Sequence, residues 1–216
     1  MKGLQIPIKP IKQLDPNSCS IACMMMVLDY YGLKISHKDI FDFIIKATPE
    51  GGSFITEIAR FAKSKGFKVD CYAYNLYLTD PKDVELSKKK LLEKLEKELN
   101  DSKRDKYYDL MLESTIKGIK EGVNYIIKKP NFRIIKSYLT RSIPLIVTVN
   151  YAALHDEQGD PFESHDIVLC GLEGERVYFA DPEHAKIESI DSSDLMFAFL
   201  QRKIISGSAY LLAVLK

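Results

Sequence analysis

Cys19 stands behind a polar turn, Asp15-Pro-Asn-Ser18, and at the head of an almost wholly apolar run that ends at Gly32. Asn17 or Ser18 can cap a helix starting there, and Gly32 supplies the left-handed residue that stops it. A sulfur at a helix N-terminus meets unpaired N–H groups and the positive end of the helix dipole, which favour its anion. Thiols so placed titrate at about 3.5–7.5 instead of about 8.5. Cys19 is therefore the candidate nucleophile, whereas Cys23 and Cys71, on apolar stretches, are expected only to pack.

A thiol nucleophile needs a base within reach, and the base needs an acceptor on its other ring nitrogen. Of the four histidines, His165 opens the run His165-Asp-Ile-Val-Leu-Cys-Gly171, which turns near Glu173 to Glu175 and returns as Arg176-Val-Tyr-Phe-Ala-Asp181. In such a hairpin His165 and Asp181 lie at the same open end, so Asp181 is the expected orienter. Asp166 points to the other face of its strand and is the weaker candidate. His37, His155 and His184 sit in a cap or in polar loops and are expected at the surface. A metal site from His155, His165, Asp181 and His184 lacks a ligand spacing that would support it, so neither metal nor cofactor is expected. Gln13, six residues before the cysteine, offers a side-chain amide to a developing oxyanion, with the Cys19 N–H as a second donor.

These residues must be held by a divided scaffold. Residues 1 to 12, broken by Pro7 and Pro10, read as an extended arm that delivers Gln13. After the cysteine helix, Ser36-His-Lys-Asp39 forms a capping box for a second helix running through Ile45, Pro49 to Ser53 signals a loop, a third helix spans Phe54 to Ser64, and Phe67 to Tyr74 alternates as a strand. Residues 76–130 are crowded with Lys and Glu around a helical period of Leu91, Leu92, Leu95 and Leu99, and a second helix is expected to carry Leu110 through Ile127. This is a charged helical insertion, either a solvated hairpin burying one stripe or a lid or partner-docking arm. Phe132 to Arg141 predicts a helix and Ile143 to Tyr151 a central strand, with Pro144 at its start. The loop Asp156 to Ser164, the hairpin, a helix from Ser192 or Ser193 to Phe199 and a strand over Ala209 to Leu215 complete the chain. The fold class is α+β: a helical lobe at about 13–75, the insertion at about 76–130 and an antiparallel sheet lobe at about 131–216, in one domain.

Thirty-one Lys and Arg against thirty Asp and Glu leave a net charge of +1, which removes any general electrostatic case for nucleic acid or acidic membranes. Four irregularly spaced cysteines make no disulfide framework. No apolar run approaches the roughly 18 residues of a membrane span, and the first residues lack a signal-type apolar core, so a cytoplasmic, reducing location is expected.

The run Gln13-x-Asp15-x-x-x-Cys19, with a Met-rich helix ending in Tyr30-Tyr31-Gly32, resembles the opening of the bacteriocin-processing (double-glycine leader) cysteine peptidase-like family of the papain-like superfamily. The His165 block and Val177-Tyr-Phe-Ala-Asp181-Pro182 resemble that family's His and Asp-Pro blocks. The resemblance covers roughly residues 10–75 and 130–216. It implies a papain-like two-lobe fold with Cys19 as nucleophile, His165 as base, Asp181 as orienter and Gln13 as oxyanion donor. Two departures stand out: Ser20 replaces the Gly usual after the nucleophile, and the insertion has no recognised counterpart. There is also no P-loop of the kind an attached ABC transporter would carry. The expected activity is a free-standing cysteine hydrolase cleaving a peptide or amide bond through an acyl-enzyme. The alternatives are acyl or amide transfer on the same residues, or a peptide-binding module without turnover that recruits a protein partner through residues 76–130.

Overall fold

In the computed structural model, residues 4–48, 51–101, 105–160, 163–206 and 208–216 are described. The arm begins as β1 (Leu4–Gln5) and is followed by the cysteine helix α1 (Cys19–Tyr30). Met24, Met26 and Leu28 of α1 are fully buried, each contributing about 1.5–3 kcal/mol of transfer free energy. The helix stops at Gly32, whose φ of 86° is the left-handed conformation an L side chain resists.

A capping box between Ser36 and Asp39 opens α2 (His37–Phe41), which is shorter than expected. Of the loop expected at 49–53, residues 49 and 50 lie outside the described residues, and the remainder is strand β3 (Gly51–Ser53), paired with β2 (Lys46–Thr48). Helix α3 (Ile55–Ser64) and strand β4 (Lys68–Asn75) follow as the periodicity predicts.

The segment 76–130 departs most from expectation. After a 3₁₀ turn at Pro81–Glu85 come α4 (Lys88–Asp101) and α5 (Lys106–Lys120), but Asn124–Ile127 is strand β5 and not a continuation of the helix. Gly122, at φ 94°, breaks the helical period, and the β-branched residues beyond it pair in parallel with β4. The hairpin does bury an apolar stripe, as its leucine period predicts. Leu91, Leu95, Tyr108, Leu112 and Ile116 share a second core with Phe54 and Tyr74 of the helical lobe.

The rest of the chain is α6 (Phe132–Leu139), β6 (Leu145–Asn150), the short α7 (Tyr151–His155), β7 (Ser164–Glu173), β8 (Arg176–Asp181), β9 (Lys186–Asp191), α8 (Ser192–Ser206) and β10 (Ser208–Leu215). Residues 161 and 162 of the loop before β7 lie outside the described residues. The main sheet runs β5-β4-β10-β6-β7-β8-β9, with β1 added along β7. It is antiparallel apart from the β4–β5 pair, and it spans both lobes. The architecture is thus α+β, with α1 laid across β7 so that the helix start and the His165 strand meet. Among the described residues no helix is long and apolar enough to cross a membrane.

Candidate active site

Ser18 shapes the turn before the nucleophile without capping the helix by its side chain. Its Oγ accepts from the Leu14 N–H at 3.1 Å and the Asp15 N–H at 3.0 Å, and its hydroxyl donates to the Asp15 carbonyl at 2.9 Å. The turn therefore satisfies itself and leaves the first α1 N–H groups to the sulfur. The Cys19 sulfur is met by the backbone N–H groups of Asp166, Ser20 and Cys19, each of which favours the thiolate. They do not win. Burial is the largest influence and the Asp166 carboxylate the next, and together they push the thiol up to about 12. The depressed value expected from the helix terminus is thereby corrected, because the helix start is buried against a strand carrying a negative charge.

One turn further on, the Cys23 thiol donates to the Asp166 carbonyl at 3.1 Å, and Cys23 and Cys71 are both fully buried. Asp166 lines the same cavity as Cys19, while Asp181 is the carboxylate bonded to His165. The Asp166 carboxylate accepts from the Thr148 hydroxyl across the β6–β7 ladder.

His165 and Asp181 meet at the open end of the β7–β8 hairpin, with His165 Nε2 donating to Asp181 Oδ1 at 2.9 Å. The carboxylate is wholly buried. Its second oxygen is occupied by a residue assigned to the surface from sequence: His155 Nε2 donates to Asp181 Oδ2 at 3.1 Å. His155 comes from α7, a single turn that Asn150 caps by accepting from the Ala153 N–H at 2.9 Å. The Tyr151 ring packs between the two imidazoles, with centroids 4.6 Å from His155 and 5.3 Å from His165. Burial alone would raise the Asp181 pKa. The bonds from His155 and His165, and the Glu183 N–H at 2.7 Å, instead hold it well below the usual carboxylate range. The same contact, as its main cause, raises the His155 pKa. Sequence reasoning missed His155 because α7 is too short to show a period.

Gln13 is buried, and its N–H donates to the Pro182 carbonyl at 2.9 Å, which fixes it beside the Asp181-Pro182 corner. Its Oε1 is buried with no hydrogen-bond partner among the described residues. The arm thus brings Gln13 to the hairpin end that holds Asp181. Among the described residues Cys19 Sγ makes no hydrogen bond to His165; it sits against the backbone of the next residue in the same strand.

A cavity of about 630 Å³ opens beside Cys19. Ser20 lines it and its hydroxyl pairs with that of Ser53, so the residue standing where glycine is usual ties α1 to β3. On the far side of Asp181, His184 Nδ1 and Glu188 Oε1 lie 2.7 Å apart, and donor atoms of His155, His184 and Glu188 all fall within 4.8 Å of one another. That trio could hold a metal ion, although His155 is already engaged by Asp181.

The sequence profile of the Peptidase_C39 like family matches residues 5–202, running straight through the segment 76–130. No curated protein matches the chain. Among solved structures, a Bacillus anthracis chain assigned as C39-like peptidase is 13% identical, with a TM-score of 0.55, covering 100% of this chain and 98% of that one. The peptidase domain of Streptococcus ComA, described as a bi-functional ABC transporter involved in quorum sensing, is 16% identical over 95% of this chain and 98% of that one, with a TM-score of 0.49. A double glycine motif protease from an AMS/PCAT transporter, in complex with its leader peptide, is 15% identical over 99% and 98%, also at 0.49. The family match spans most of the chain and the Bacillus anthracis structure shares the fold across all of it, so this chain belongs to the Peptidase_C39 like family.

Proposed function

We propose that the protein is a cysteine hydrolase that cleaves a peptide or amide bond through an acyl-enzyme, with Cys19 as nucleophile, His165 as base, Asp181 as orienter and Gln13 as oxyanion donor. The observation that carries this is the buried His165–Asp181 bond. It uses Nε2 and leaves Nδ1 as the ring atom for a thiol that already sits on the following residue's N–H.

With the thiol pushed up to about 12, Cys19 is neutral at rest, and His165 has to remove its proton as attack begins. Cys19 Sγ adds to the carbonyl carbon while the proton passes to His165 Nδ1. The resulting oxyanion is held by the Gln13 amide and the Cys19 N–H. Asp181 supports the imidazolium, which then returns the proton to the leaving amine as the C–N bond breaks. Water, losing a proton to the same nitrogen, cleaves the thioester and restores the thiol. The raised thiol and the lack, among the described residues, of a Cys19–His165 hydrogen bond favour the second reading, a peptide-binding fold without turnover.

Iodoacetamide labelling of the folded protein at pH 7, followed by peptide mass analysis, separates the two. Cys19 is expected to label faster than Cys71 and to slow in His165→Ala. Equal rates for wild type and His165→Ala would remove the base and leave the binding module.

A further inference from the structure

The cavity beside Cys19 is bounded on its far side by the inserted helix. Tyr107, Met111 and Thr115 of α5 all line it. Their spacing of four residues places them on one helix face. Phe54 and Tyr77 close the flanks, and the Tyr107 and Phe54 rings pack with centroids 5.3 Å apart.

This wall is anchored. The buried Asn75 amide donates to the Tyr210 hydroxyl and to the Met111 sulfur, the latter at 3.5 Å. Thr56 and Ser114 pair hydroxyl to hydroxyl, and Arg60 of α3 holds Glu121 at 2.7 Å. Helix α5 is therefore a fixed side of the site.

Its chemistry is selective. The insertion is crowded with Lys and Glu, yet among the described residues no Lys, Arg or Glu lines the cavity. An acidic side chain would meet no cation among the described lining residues and would be repelled by Asp166, at a desolvation cost those residues do not return. A cationic one would find, among the described lining residues, a single carboxylate, Asp166 at the Cys19 end, already accepting from Thr148. A glycine would leave the aromatic and thioether surface uncovered. The cavity volume lies within the roughly 300–1,000 Å³ of ordinary ligand pockets.

We propose that this cavity is a specificity pocket for an uncharged aromatic side chain flanking the scissile bond of the substrate peptide, selected by Tyr107 and Met111 of the inserted helix. The proposal rests on the cysteine hydrolase reading for its substrate class, and its test is independent of turnover.

The test measures binding of blocked tripeptide amides with Phe, Lys, Glu or Gly at the centre to full-length Cys19→Ser protein by calorimetry. The Phe peptide is expected to bind about tenfold or more tighter than the Gly peptide, in keeping with burial of one aromatic side chain. Tyr107→Ala in the same background should bring the two within about twofold, and Tyr107→Phe should restore the preference. Tyr107 is 46% exposed at the rim, so these variants leave the core intact. Tightest binding by the Lys or Gly peptide, or a Phe preference that survives Tyr107→Ala, would overturn the assignment. Should Cys19 label as slowly with as without His165 while the Phe preference holds, the hydrolase reading fails and the pocket stands.

Discussion

Asp181 is a buried carboxylate that accepts from two histidines, and the consequence of removing the second can be worked through. His155→Ala deletes one charge-assisted bond of 3.1 Å and strands Oδ2 in the interior. Such a bond contributes about 1.5–3 kcal/mol; because His155 is partly exposed the expected loss is nearer 1–2 kcal/mol. Against a total stability of about 5–15 kcal/mol the variant remains folded.

The pH dependence gives the sign. The depressed Asp181 pKa contributes stability that is present above its unfolded value of about 3.9 and is lost as pH falls through the folded value. The raised His155 pKa contributes stability that is present below about 6.5 and is lost as pH rises through the folded value. Both are in force between about pH 4.5 and 6. Urea unfolding of wild type and variant should therefore differ most there and less at pH 8, and the variant should unfold in acid at a higher pH. A loss below about 0.5 kcal/mol that is flat from pH 5 to 8 would refute the argument.

Two further outcomes follow from other contacts. Gln13→Ala should lower the burst rate with p-nitrophenyl acetate by about 10²–10³ while leaving the urea midpoint nearly unchanged, since Oε1 has no partner among the described residues; an unchanged burst would place the oxyanion elsewhere. Arg60→Ala should destabilise by about 3–5 kcal/mol in urea unfolding, because it strips the buried Glu57 of its 2.7 Å partner, and Glu57→Leu in the same chain should recover most of that loss.

The elements that sequence predicts well are those where local signals agree. The cysteine helix has a turn before it and Gly32 after it, and the β7–β8 hairpin alternates and turns at Gly174, so the position of Cys19 at a helix start and of His165 beside Asp181 is legible in the sequence. What escaped was set by distant parts of the chain. The β5 run is apolar enough to continue a helix, and only an open edge of β4 makes it a strand. His155 looks like a loop residue until the fold carries α7 over Asp181. The helix alone predicts a lowered Cys19 thiol, whereas burial and the Asp166 carboxylate of β7 raise it.

Strand β10 lies between β4 and β6, pairing Ala213 with Asp70 on one side and with Leu145 on the other. Before it docks, the sheet is two separate pieces, β5-β4 and β6-β7-β8-β9, each presenting an unpaired edge, and one of those edges carries the apolar Leu145, Ile146 and Val147. The closing contacts join residues far apart in the chain, a kind of pairing that forms slowly in general and leaves such edges open to other chains until it forms. On a ribosome, the half carrying Cys19 and the half carrying His165 would emerge as incomplete sheets. The two are joined into one only once β10 has been made, so no finished site exists before residue 208 has left the ribosome.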